Sequence, residues 1–219
     1  MNDIEQMKQA SVIEYYNSID SKAYRSLDYF KVRESEISKL LQSSIGKKVL
    51  DIGAGDGFWL KHFVDIIDVY TAVEQGNVNC ILIEKSLCIY GKEIHILNAN
   101  AFNFDYININ ADTLLFCFFI SHFNFSSIIK LIQRINLNVR FSRIIILDSF
   151  WSEYRKNKFI NNELHLQKRA TKENGDTVEI PKRFISIEDL WKLSSVLKMK
   201  LEIKYSDEYW CFAMLTKEN

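Results

Sequence analysis

A chain of 219 residues, 47% hydrophobic and 26% charged, has the balance of a globular protein long enough for one well-buried core, which excludes a disordered or fibrous chain. Its 28 Lys and Arg are matched by 28 Asp and Glu, so no global positive field exists to hold a polyanion; bulk nucleic-acid binding is disfavoured and only a local basic patch stays open. The four cysteines, Cys80, Cys88, Cys117 and Cys211, are scattered without a Cys-x-x-Cys pair, which argues against zinc or a disulfide framework. Residues 1–10 lack the basic stretch and apolar core of a secretory signal. The longest apolar run, residues 114–120, is far too short for a bilayer, so no membrane association and a cytoplasmic address are expected.

Residues 3–44 carry helical spacing, first in Ile4, Met7, Val12 and Tyr15 and then in Ile37, Leu40 and Leu41, which predicts two or three leading helices. From residue 47 onward, short runs rich in Val, Ile, Leu and Phe alternate with helix-length segments; the runs are residues 48–52, 68–74, 93–98, 112–120 and 143–148. Apolar runs without strict alternation fit strands buried on both faces, and strands separated by helical segments imply βαβ units. The fold class is therefore α/β: a doubly wound, mostly parallel seven-stranded sheet flanked by helices. A longer charged segment, residues 151–186, follows the fifth strand. Within it Asn174-Gly175, flanked by residues 165–172 and 177–184, predicts a β-hairpin lid. A helix over residues 187–198 and two strands, 200–205 and 209–216, close the chain as an antiparallel pair. With no repeat, no linker and one proline, a single domain is expected, divided into leading helices (1–44), a ligand-binding core (45–150), the hairpin insertion (151–186) and the closing elements (187–219).

Three of the seven glycines, Gly53, Gly55 and Gly57, cluster directly after the first strand and before a helix-like stretch, residues 58–64. Glycine there allows positive φ and close backbone approach to a ligand, and the start of a following helix offers free N–H groups. A dinucleotide fingerprint needs its third glycine where Phe58 stands, and no Gly-Lys-Ser/Thr follows, so neither a nicotinamide or flavin site nor a phosphate loop is indicated.

The stretch Val49-Leu50-Asp51-Ile52-Gly53-Ala54-Gly55-Asp56-Gly57 resembles the first motif of class I S-adenosylmethionine-dependent methyltransferases. The resemblance implies that Asp51 orients the amino-acid end of the cofactor while Gly53, Ala54, Gly55 and Gly57 pack beneath it. It gives Glu74, with its neighbour Gln75, to the ribose hydroxyls, for which a carboxylate has enough lone pairs. Asn100, Ala101 and Phe102 stand where the family reads the adenine with an Asp-Ala pair, with Asn98 as a rival for that place. The fourth strand, ending through Cys117 towards Ser121 and His122, resembles the motif that reaches the methionine moiety and the reaction centre. Tyr15, Tyr16 and Tyr24 resemble tyrosines that cover cofactor and acceptor in several small-molecule members. The implied cofactor is S-adenosylmethionine, leaving as S-adenosylhomocysteine, with no metal required.

Each mark has a plainer alternative: the loop as a βα turn with nothing bound, the tyrosines as core or docking surface. His122, at the edge where doubly wound sheets place their chemistry, is a candidate general base or a packing residue. Lys168-Arg169 and Lys182-Arg183 are positioned to meet across the hairpin ladder and hold an acidic acceptor, or else to keep an edge soluble. The function expected is methyl transfer to an oxygen or nitrogen of a small metabolite of acidic, phosphorylated or sugar type. A protein or RNA methyltransferase and a catalytically silent binding module are the alternatives. A small-molecule acceptor and a monomer or homodimer complete the expectation.

Overall fold

The apolar runs from residue 48 onward pair side by side to satisfy their backbones within a ladder; residues 48–52, 69–74, 113–117 and 143–149 are buried along most of their length, whereas residues 93–98 and 200–206 at the two edges are half-buried or exposed. The structure, a computed structural model, describes residue 25 and residues 28–87, 92–159, 161–170 and 177–218. Strands β1 (Lys48–Ile52), β2 (Val69–Glu74), β3 (Glu93–Asn98), β4 (Thr113–Cys117) and β5 (Arg143–Ser149) run parallel, and β8 (Lys200–Ser206) and β9 (Trp210–Thr216) add an antiparallel pair. The order across the sheet is β3-β2-β1-β4-β5-β9-β8. This is the seven-stranded, mostly parallel α/β sheet that the sequence pattern predicts.

Both faces are covered. Helix α1 (Asp28–Ser44) buries Phe30, Ile37 and Leu41 on one face, and α2 (Asn77–Leu87) adds Ile83 there. On the other face α3 (Phe125–Asn138) contributes Ile128, Leu131, Ile132 and Ile135, at the i, i+3, i+4, i+7 spacing of one helical stripe. Beside it α5 (Ile187–Leu197) buries Leu190 and Leu193. A capping box starts α5: Ser186 Oγ accepts from the Asp189 N–H at 3.1 Å and Asp189 Oδ2 accepts from the Ser186 N–H at 3.0 Å, contributing on the order of 1 kcal/mol. A short helix α4 (Glu153–Lys156) and a separate two-stranded ladder, β6 (His165–Ala170) with β7 (Thr177–Lys182), make up the insertion.

Three details depart from expectation. The helix expected over residues 58–64 is instead two 3-10 turns, Phe58–His62 and Val64–Ile66, broken at Phe63 with φ −140°. The short connection to Val69 leaves no room for a longer helix once Trp59, Leu60, Phe63 and Val64 turn inward. The fourth strand stops at Cys117 rather than continuing to residue 120, because Phe118 takes a left-handed φ of 55° and its N–H donates to the Leu147 carbonyl at 2.7 Å. The turn parts the aromatic run: Phe118 packs on Trp59 and Trp210, and Phe119 on Phe102 and Phe123. In the hairpin, Lys168 and Arg169 stand opposite Glu179 and Val178, and Lys182 stands opposite His165, so the two basic pairs do not meet across the ladder. The earlier part of the leading helices, Cys88 and the Asn174-Gly175 turn lie outside the described residues.

Candidate functional site

The C-terminal ends of β1, β2, β4 and β5 converge on the turn formed by Gly53, Gly55 and Gly57, whose φ values are 69°, 58° and 73°. All three lie in the left-handed region that non-glycine residues avoid. A Cβ on Gly53 would lie 2.2 Å from the Phe119 ring, so this glycine is required by packing as well as by its dihedral. Among the described residues, a Cβ on Gly55 would meet nothing within 4 Å. The loop therefore lies tight against the sheet at Gly53 and faces open space at Gly55, as a ligand cradle must.

Glu74, closing β2, aims its carboxylate at this loop. Its Oε2 accepts from the Gly55 N–H at 2.9 Å and its Oε1 from the Gly76 N–H at 2.7 Å. Burial raises its pKa, and these N–H bonds oppose the rise. Oε1 also accepts from the Asn79 side-chain amide at 3.4 Å, so the spare lone-pair capacity lies on Oε2 beside Gly55, where it suits a hydroxyl donor.

Asp51, at the end of β1, is 2% exposed. Its Oδ2 accepts from the Tyr70 hydroxyl at 2.7 Å, whereas its Oδ1 is buried with no hydrogen-bond partner. Burial pushes its pKa up to about 7 against the Tyr70 bond, and Glu74 adds repulsion. Beside it the Cys117 thiol is pushed well above its ordinary range by burial and then by the Asp51 and Asp148 charges, which keeps it neutral.

On the adenine side foreseen by the sequence, Asn100 Oδ1 accepts from the Phe102 N–H at 2.9 Å, turning the chain so that Ala101 is buried and Phe102 stacks on Phe119. The Asn98 amide instead donates to the Glu74 and Gln75 carbonyls, both at 3.1 Å, and ties the end of β2 to β3. Gln75 thus takes part here through its backbone.

The hairpin edge is held by buried polar groups that sequence reasoning largely missed. Lys182 donates to Ser121 Oγ at 2.6 Å and lies 3.9 Å from Asp148 Oδ1, with Lys182 6% and Asp148 0% exposed. Asp148 also accepts from the Ser121 N–H at 3.0 Å and the Ser149 N–H at 2.7 Å. His122 is buried, with Nδ1 2.8 Å from the Pro181 carbonyl. A carbonyl only accepts, so that nitrogen carries the proton. Arg183 pairs with Asp189 at 2.6 Å. The expected basic patch is therefore replaced, on the β7 side, by two buried cations that pin the hairpin. The available signal was Asp148, a lone carboxylate inside an apolar strand.

The structure brings together Asp51, Gly53, Ala54, Gly55, Gly57, Glu74 and Cys117 at one edge and places Ser121, His122, Asp148 and Lys182 along the neighbouring strand ends. Arg25 reaches the loop from outside, clamping Asp56 with bonds of 2.7 and 2.8 Å and lying over the Phe58 ring. Tyr16, Tyr24 and the side chains of Lys168 and Arg169 lie outside the described residues. Among the described residues no group of three or more His, Cys, Asp and Glu is placed to hold a metal, and no helix is long and apolar enough to cross a membrane.

No protein-family model matches the chain, and no curated protein matches it in sequence. Solved structures match it in fold. A DhpI-SAM-HEP complex superposes with a TM-score of 0.74 at 15% identity, over 95% of this chain and 97% of that one. Magnesium protoporphyrin IX methyltransferase (ChlM) from Synechocystis PCC 6803 with bound SAM gives 0.64 at 11% identity, over 96% and 97%. CalS10, an amino pentose methyltransferase from Micromonospora echinaspora involved in calicheamicin biosynthesis, gives 0.57 at 11% identity, over 84% and 90%. With its sheet order and its glycine loop in place, the chain has the Rossmann-like fold of solved S-adenosylmethionine-dependent methyltransferases.

Proposed function

We propose that the protein is an S-adenosylmethionine-dependent methyltransferase acting on a small molecule, in the cytoplasm. The observation that carries this is the loop itself: three left-handed glycines, open space at Gly55 among the described residues, and two carboxylates, the buried Asp51 and the half-buried Glu74, flanking it at the ends of adjacent strands. The orphaned Asp51 Oδ1 fits the ammonium group of the cofactor's amino-acid end, and the Glu74 carboxylate beside Gly55 fits its ribose hydroxyls. Neighbours of this fold carry SAM or SAH in their solved complexes, which supports the same ligand here.

When bound, the cofactor supplies a methyl group on a positively charged sulfur, activated for in-line displacement. The protein's part is to hold donor and acceptor in line and to exclude water. Asp51 and Glu74 fix the donor, with Ala54, Gln75, Asn100, Ala101, Phe102 and Cys117 lining its place. The hairpin pinned by Lys182 closes the neighbouring edge, where a small acceptor of acidic, phosphorylated or sugar type would enter. CalS10, an amino pentose methyltransferase of the same fold, supports an acceptor of sugar size. His122 is the candidate base, its Nδ1–H bond leaving the basic nitrogen at Nε2.

Calorimetric titration with S-adenosylmethionine and S-adenosylhomocysteine tests the proposal. Wild type should bind both at micromolar level. Asp51→Ala and Glu74→Ala should each lose about 1.5–3 kcal/mol, as expected for hydrogen bonds to charged groups. A wild-type protein that binds neither compound is not a methyltransferase of this kind.

A further inference from the structure

Resting on that cofactor assignment, the geometry points to Tyr70 as a positioning residue that holds Asp51 for a cationic ligand and couples capture of that ligand to loss of one proton from the site. Tyr70 lies on β2 beside β1, fully buried, and its hydroxyl reaches along the sheet to Asp51 Oδ2 at 2.7 Å. That bond fixes the plane of the carboxyl group. Oδ1, enclosed and without a partner, is left as the atom that lacks a donor.

A buried carboxylate with one unsatisfied oxygen is costly, so the ligand-free site favours the neutral acid. The groups facing Asp51 reinforce this: Glu74 on β2 is acidic, Cys117 on β4 is held neutral, and Tyr70 is held neutral by burial and by the Asp51 charge. Among the described residues no cation stands with them. With its pKa at about 7, most Asp51 groups carry a proton below neutral pH in the ligand-free protein. An α-ammonium group arriving at Oδ1 supplies the missing positive charge, the carboxyl ionises, and the proton leaves to solvent while the ammonium keeps its own.

The sign follows. Ionised Asp51 is the binding form, so affinity should fall tenfold per pH unit below about 7 and level off above it. The Tyr70 hydrogen bond favours the ionised form, so removing it raises the pKa and moves the break alkaline.

The experiment is calorimetry with S-adenosylhomocysteine from pH 5.5 to 8.5, in buffers of different ionisation enthalpy that count the protons released. Its α-amino group is charged throughout the lower half of that range, so release there belongs to the protein. For wild type, close to one proton should appear at pH 6. For Tyr70→Phe, the break should move up by about one unit, costing roughly tenfold in affinity at pH 6.5 and little at pH 8.5. Asp51→Asn, which cannot titrate there, should bind weakly with a flat profile and covers the case of a poorly folded Tyr70→Phe. Binding without proton release, or parallel profiles for wild type and Tyr70→Phe, overturns the coupling and leaves the cofactor assignment standing. No binding at any pH overturns both.

Discussion

At the cofactor edge the groups that shape the site come from short stretches of chain. Gly53, Gly55 and Gly57 make the turn, Asp56 Oδ1 accepts from the Phe58 N–H, and Glu74 bonds to Gly55 and to Gly76 beside it. At the hairpin edge of the same sheet the bonds join distant segments: Lys182 reaches Ser121 across 61 positions, and His122 meets Pro181 across 59. Closing long loops costs chain entropy, so such contacts need well-satisfied buried partners to persist. The cofactor edge is thus set by local backbone geometry, and the hairpin edge by a few buried ion pairs. The first should fail through its glycines, and the second through its charges.

The sharpest break of that comparison is Gly53→Ala against Gly55→Ala. At Gly53 the new methyl meets a Phe119 ring itself wedged by Phe102, Phe116 and Phe123, on top of the left-handed backbone cost. A loss of about 3 kcal/mol or more is expected in urea unfolding. At Gly55 only the dihedral cost of about 1–2 kcal/mol applies, because no described residue clashes there. On the proposed cofactor reading, which gives the open space to the ligand, cofactor affinity should nevertheless fall at least tenfold. Equal stability losses in the two variants would sink the distinction.

Next in size is Lys182→Met. The substitution keeps the apolar stem and leaves Asp148 buried without its cation, although the Ser121 and Ser149 N–H groups still serve it. Stranding a buried charge costs about 3–5 kcal/mol, and the two remaining bonds should hold the loss to about 2–3 kcal/mol. That corresponds to a drop in Tm of roughly 5–10 °C for a chain of this size. Acceptor turnover, once an acceptor is in hand, should suffer more than cofactor affinity. The reverse order would place Lys182 on the cofactor side.

The same contrast decides what the sequence made legible. The sheet, its order of elements and the roles offered to Asp51 and Glu74 follow from patterns confined to a strand and its loop, where periodicity and glycine placement speak directly. The Phe118 turn was hidden because an aromatic run looks like a strand until its rings must divide between two faces. The two basic pairs do not meet because the ladder sets Lys168 against Glu179 and Lys182 against His165, a register that the charges themselves do not encode. Docking of β7 against Ser121 and His122 accompanies that register, and nothing near the turn encodes it. Tyr70 carries no mark of its own in the sequence, since only the three-dimensional sheet brings its hydroxyl to Asp51.

The smallest effect concerns the clamp between Arg25 and Asp56, the long-range tie at the otherwise local cofactor edge. Both side chains keep about a fifth of their surface in water, 23% and 19%, so the pair is screened and its gain is modest in spite of two good bonds. Asp56 also accepts from the Phe58 N–H at 3.2 Å, and that contact survives loss of the arginine. Arg25→Ala should therefore lower stability by about 1 kcal/mol or less and weaken S-adenosylhomocysteine binding less than threefold, read by thermal melting and calorimetry on one preparation. A tenfold loss of affinity would mean that residues from outside the core hold the loop in shape, and the cofactor edge would then depend on distant contacts as much as the hairpin does.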